Sequence, residues 1–152
     1  MNLKSLFTPA LLVATFVCNT TLHADARPNN SGTIQGTLIY PSDFIPAQKV
    51  CAVNIQTKKM LCVETKQDQK TYSLEVPTGT YNVFAVACQE SYRTEKTCSD
   101  GYGTKRAYYN ENIRCGLTYE CSKKPGSQRP IPVKVNAGKV VQNVNPQDWY
   151  PH

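Results

Sequence analysis

Apolar and polar residues alternate along much of this chain with the period of two that a half-buried β-strand shows, and turn residues interrupt the alternation about every ten positions. The clearest run is Tyr72 to Ala87, YSLEVPTGTYNVFAVA. Two segments meet there at Pro77-Thr78-Gly79, which predicts a β-hairpin: Pro77 ends the ladder of the first strand and Gly79 supplies the positive φ of a tight reversal. The second segment is apolar on both faces, with Val83, Phe84, Ala85, Val86 and Ala87 in succession. That pattern predicts a strand in the middle of a sandwich, covered on both sides. The same reading places strands at 32–40, 48–55, 60–65 and 71–76, with Gly36 marking a bulge or a close backbone approach. Turns fall at Pro41-Ser42-Asp43 and Gln56 to Lys59. Two further strands, 131–136 and 140–144, flank the turn Ala137-Gly138-Lys139. Seven strands and no convincing helix are expected, spaced as in a sandwich and not as in βαβ units.

Residues 88–130 break the pattern. This stretch has no sustained apolar period, carries four cysteines and five of the nine tyrosines (Tyr92, Tyr102, Tyr108, Tyr109, Tyr119), and turns at Asp100-Gly101-Tyr102-Gly103 and Pro125-Gly126. A long excursion inside a compact domain is functional, disordered or held by its own staples, and the cysteines point to the last.

The chain begins as a secretory signal begins. Lys4 gives the positive start, Leu6 to Cys18 is mostly apolar, and Ala24-Asp25-Ala26 has the small-x-small pattern of a cleavage site, so residues 1–26 read as a signal peptide and Arg27 as the first mature residue. Val17 stands where a lipid-attachment motif requires a small residue, which argues against lipidation at Cys18. No stretch is long and apolar enough to predict a transmembrane helix. Residues 27–152 make a single domain and contain six cysteines, an even number that fits three disulfides in an oxidising, secreted setting, periplasmic or extracellular. Cys51 and Cys62 flank the Gln56–Lys59 turn almost symmetrically and would face each other across a hairpin ladder, near bridging distance. Cys115 with Cys121 would close a short loop around Gly116, and Cys88 with Cys98 a loop directly after the apolar strand. The net charge of +6 is compatible with anionic partners, but a small domain carries as much for solubility alone.

Several segments together resemble the prealbumin-like (transthyretin-like) sandwiches of the carboxypeptidase regulatory-like group, in their small secreted bacterial form. They are GTIQGTLIYPSDFIPAQKVCAVN, YSLEVPTGTYNVFAVA, Cys115-Gly116-Leu117 with Cys121, and VKVNAGKVVQNVNPQDWY with its closing Asp-Trp-Tyr. The resemblance implies an all-β, seven-stranded, two-sheet Greek-key sandwich, serving as an accessory or binding module without activity of its own. The enzymatic branch of that group, which hydrolyses hydroxyisourate, needs internal histidines and a C-terminal tetrapeptide that this chain lacks.

The catalytic inventory agrees. His152 is the sole histidine of residues 27–152, so triads, Cys-His dyads and His-ligated zinc lack their central part. Glu90 with Glu95, or Glu111 with Glu120, leaves a carboxylate-dependent hydrolase as the weakest reading. Asp100-Gly101 near Glu95 or Glu111 matches no calcium loop and reads as a turn. No catalytic residue, metal or cofactor is therefore expected. What remains is the interleaving of aromatic rings and cations in the excursion. Tyr102, Lys105, Arg106, Tyr108 and Tyr109 form the candidate ligand-binding set, suited to stacking and polar contact with a carbohydrate, a protein or an anionic surface. Against this stands packing, with the same rings covering the disulfides and the open end of the sandwich. Trp149 and Tyr150 divide the same way, with sealing of the sandwich edge as their expected job. The sequence thus predicts a secreted, monomeric, non-catalytic module that binds a carbohydrate or protein on a cell surface or host and no specific nucleic acid. Its alternative is an accessory envelope protein with no ligand site.

Overall fold

In a computed structural model, which describes residues 30–89, 98 and 101–150, the alternating segments become eight strands and two short helices. They are β1 (Ser31–Thr37), β2 (Gln48–Asn54), β3 (Met60–Glu64), β4 (Thr71–Pro77), β5 (Gly79–Cys88), β6 (Tyr102–Tyr108), α1 (Glu111–Cys115), α2 (Tyr119–Ser122), β7 (Val133–Val135) and β8 (Val140–Val141). The segment 1–26 expected to be a signal peptide, together with Tyr92, Glu90, Glu95, Asp100 and His152, lies outside the described residues.

The strands build a three-stranded sheet in the order β4-β1-β8 and a five-stranded sheet in the order β3-β2-β5-β6, with β7 also paired to β5. Every pairing is antiparallel except β1 with β8. Alternation decides which face each strand turns inward: β4 reads exposed-buried throughout, and its Tyr72, Leu74 and Val76 join Ile34 of β1 from one side of the core. Val50 and Ala52 of β2 with Val83, Ala85 and Ala87 of β5 meet them from the other. Each fully buried aliphatic side chain of this set contributes about 1.5–3 kcal/mol relative to exposure.

The hairpin expected at Pro77-Thr78-Gly79 is not formed. β4 pairs with β1 across its whole length while β5 pairs with β2, so the turn carries the chain from one sheet to the other. The Tyr81 hydroxyl donates to the Pro77 carbonyl at 2.7 Å and ties this corner. Nor does Gly79 adopt a positive φ. It is needed for space, since a Cβ there would lie 2.6 Å from Asn54 Nδ2. Gly36 is the close approach anticipated for it, with the Val144 carbonyl where a Cβ would stand.

The excursion 88–130 also departs from expectation, because it supplies an eighth strand and both helices. β6 pairs with β5 in the register Phe84↔Tyr108 and Val86↔Arg106, shifting before Cys88↔Tyr102. Its alternation is hidden by the exposed run Thr104-Lys105-Arg106; only Ala107 sinks fully into the core. The helices have five and four residues, too short to leave a periodic signal and too short to form unaided. Gly116 ends α1 in the left-handed region at φ 101°, Thr118 caps α2 by accepting from Cys121 N, and a Cys115–Cys121 disulfide bridges the two. The remaining bonds join Cys51 to Cys62 and Cys88 to Cys98. Cys51 and Cys62 are directly opposed in the β2–β3 register, with Cα atoms 4.1 Å apart, the close spacing of a pair that exchanges no backbone hydrogen bonds. No helix among the described residues is long and apolar enough to cross a membrane.

Candidate functional site

The five residues singled out from sequence do not converge. Tyr102, Arg106 and Tyr108 lie on the face of the five-stranded sheet turned away from the core, over a second cluster of Cys51, Phe84 and Val86. Their ring and charge partners are already in place, although the buried Tyr102 hydroxyl has no hydrogen-bond partner. The Arg106 guanidinium sits 4.9 Å from the Phe84 ring centre, and Tyr108 packs against Phe84 at 6.2 Å. Lys49 Nζ lies 4.3 Å from the Tyr102 ring centre and 2.9 Å from a Glu64 carboxylate oxygen. Burial pushes the Tyr102 hydroxyl up to about 12, and the adjacent Glu64 carboxylate adds to the shift. Lys105 is exposed at the opposite side of the strand, beside a small cleft at Gly103 and Gln89. Tyr109 packs against the main core. These rings therefore serve as cover for β5, whose apolar outer residues would otherwise face water.

A second concentration of aromatic residues is arranged differently. The C-terminal tail after β8 is laid along β1 and β6: Val144 N donates to the Gln35 carbonyl at 3.0 Å, Asn145 Oδ1 accepts from Thr37 N at 2.8 Å, and Tyr108 N donates to the Asp148 carbonyl at 3.0 Å. The Tyr72 hydroxyl donates to the Val144 carbonyl at 2.7 Å from inside the core, where burial, with Tyr109 adding, raises its pKa above the ordinary value. So anchored, the tail brings Trp149 edge-on to Tyr40, 4.9 Å between ring centres, and Trp149 Nε1 donates to the Ile39 carbonyl at 2.9 Å.

Between this tail and the two helices lies a cleft of about 420 Å³. Its walls are Ile39, Tyr40, Leu117, Tyr119, Trp149 and Tyr150. Four of these, Ile39, Leu117, Tyr119 and Tyr150, are among the seven large apolar side chains left exposed in the described residues, so exposure is concentrated at this one place. Leu117 has φ 58°, a conformation unfavourable for a branched side chain, and it follows the left-handed Gly116; together they turn the chain between α1 and α2 at the cleft wall. The floor is polar. Asp148 is 3% exposed and accepts from Asn110 Nδ2 at 2.7 Å, from Asn112 Nδ2 at 3.3 Å and from Tyr150 N at 3.4 Å. Asn112 is equally buried, and its Oδ1 has no hydrogen-bond partner. A buried acceptor without a donor costs about 1–3 kcal/mol, a cost the fold tolerates beside the cleft.

Sequence reasoning reached Tyr119, Trp149 and Tyr150 but not the floor. Asn110 and Asn112 meet Asp148 across 38 and 36 residues, a contact no local pattern announces. Trp149 does seal the sandwich, at 7% exposure, whereas its neighbour Tyr150 is 66% exposed. Among the described residues no group of three or more His, Cys, Asp or Glu is placed to hold a metal, and all six described cysteines are in disulfides. No family model, curated protein or solved structure matches the chain.

Proposed function

We propose that this protein is a secreted, non-catalytic binding module that takes its ligand in the cleft between the stapled helices and the C-terminal tail. One observation carries the reading: exposed aromatic walls converge on a buried polar floor in which the Asn112 acceptor is left without a donor. Apolar walls with a few fixed polar groups are the general form of a ligand site. The prealbumin-like family reading draws support from the two-sheet arrangement, in which the chain crosses from one sheet to the other between β1 and β2, between β3 and β4, and between β4 and β5. Three disulfides fit an exported chain.

The test uses the oxidised protein on combined glycan and peptide arrays, beside a Tyr119→Ala/Tyr150→Ala variant. Both side chains are mostly exposed, so stability should change by no more than about 0.5 kcal/mol each. Signal present in the unaltered protein and lost in the variant is the expected result. Signal that survives the double substitution, or that is lost only on replacing Tyr102, Arg106 and Tyr108, would move the site to the outer face of the large sheet.

A further inference from the structure

Resting on the binding-module reading, we infer that the cleft recognises a primary organic ammonium carried on an apolar stem, as a lysyl side chain of a partner polypeptide or a free alkylamine presents it. The floor offers acceptors. Asp148 is a carboxylate at 3% exposure whose three donors among the described residues are two amides and one backbone N–H, all neutral. Hydrogen bonds from neutral groups hold such a charge in place without cancelling it, and a buried charge is costly until an opposite charge meets it. The Oδ1 atoms of Asn110 and Asn112, the two amides that hold Asp148, are buried without a donor. The one indole N–H in the cleft is already taken by the Ile39 carbonyl. A ligand head that donates several hydrogen bonds and carries positive charge suits the Asp148 carboxylate; a neutral hydroxyl supplies one donor and no charge.

The walls suit the stem and the charge alike. Tyrosine and tryptophan faces attract an ammonium while their carbon surface packs a methylene chain. Tyr119 already shows this affinity, with Lys123 Nζ 4.0 Å from its ring centre at the rim. The chain's net charge of +6 disfavours cations over the surface at large, so a cation that binds is selected by the cleft itself.

The experiment is a titration of the oxidised protein, followed by amide chemical shifts, with n-butylammonium, its neutral isostere butan-1-ol, and methyl glucoside, each at millimolar concentration. The expected result is shifts at Asn112, Leu117 and Trp149 with butylammonium, and binding at least about tenfold weaker for the alcohol and the sugar, the loss of a charge-assisted contact. Asp148→Asn should abolish the preference. Since Asp148 also organises the floor, Lys123→Ala provides an independent check: removing a like charge at the rim should tighten butylammonium binding, and an unchanged affinity counts against the inference. Nα-acetyl-lysine methylamide is the last arm. Equal or tighter binding than butylammonium assigns the ammonium to a polypeptide, weaker binding assigns it to a free amine, and either keeps the inference. Equal binding of alcohol or sugar overturns the ammonium while leaving the cleft as a binding site. Failure of butylammonium to shift cleft residues overturns the inference alone, because the Tyr119/Tyr150 double variant on the arrays decides the binding reading separately.

Discussion

Two lysines of this protein rest on two tyrosines at nearly the same distance, Lys49 on Tyr102 at 4.3 Å and Lys123 on Tyr119 at 4.0 Å, yet their surroundings are opposite. On the outer face of the five-stranded sheet, Glu64 completes the Lys49 charge, Arg106 covers Phe84, and Tyr102 and Tyr108 pack against the cluster beneath. At the cleft, Tyr119 is 64% exposed, the carboxylate is buried with no cation paired to it among the described residues, and the amide oxygens of Asn110 and Asn112 have no donor. The same residue types that finish a surface in one place leave it unfinished in the other. The Tyr102 hydroxyl on the outer face is also buried without a hydrogen-bond partner, so neither composition nor one unmet hydrogen bond identifies a site; exposed rings around a concavity do.

The sharpest way to break this comparison is to remove the residue on which the outer cover sits. Phe84→Ala deletes a side chain that is 9% exposed and packed under Arg106 and Tyr108, and should cost about 3–4 kcal/mol. Urea denaturation measures it. A loss below about 1 kcal/mol would mean the outer rings are not packed as cover, and would reopen that face as a site.

At the cleft, the corresponding structural element is the Cys115–Cys121 bond, which spans six residues and joins the two helices that form one wall. Replacing both cysteines by serine should cost about 2 kcal/mol, the small gain of a short loop. It should also weaken butylammonium binding, since Leu117 and Tyr119 lie within the loop. Thermal unfolding and the titration give the two readouts, and a stability loss with unaltered binding would show that the wall does not depend on its staple.

How much of this was legible in the chain varies with the range of the contact. Cys51 and Cys62 were readable because the turn between them is nearly symmetric and the β2–β3 ladder is local. The burial of β4 was readable from Leu74, Val76 and the polar residues between them. Alternation tells which face of a strand is buried but not which sheet it joins, so the crossing at Pro77-Thr78-Gly79 looked like a hairpin. β6 was concealed because Lys105 and Arg106 both stay outside, and the cleft floor because Asn110, Asn112 and Asp148 come together only after the tail has docked.

Alkaline pH tests the outer face through Tyr102. Its hydroxyl is raised from 10.0 to about 12, so the unfolded chain loses that proton first as the pH climbs. The stabilisation is complete below about pH 10 and disappears as the pH rises through the folded value near 12, with buried Tyr72 acting in the same direction. The urea midpoint should fall between about pH 9 and pH 11.5, and fall less in Tyr102→Phe, which keeps the ring under Lys49. An identical fall in the variant would show that Tyr102 is not held in the environment described for it.

The smallest expected effects separate the two lysines themselves. Lys49→Met removes a partly exposed ion pair and a cation–ring contact together, and leaves Glu64 beside Tyr102 without its counter-charge. The sum of such terms is about 1 kcal/mol after solvent screening. Lys123→Met removes only an exposed cation–ring contact and should change stability by less than about 0.5 kcal/mol. Binding should order the other way, with butylammonium indifferent to Lys49→Met and tighter in Lys123→Met, because only the second lysine competes for a ring that the ligand uses. Stability and binding thus rank the same chemical change in opposite orders at the two faces. A common ranking in both measurements would show that the cleft is surface of the ordinary kind.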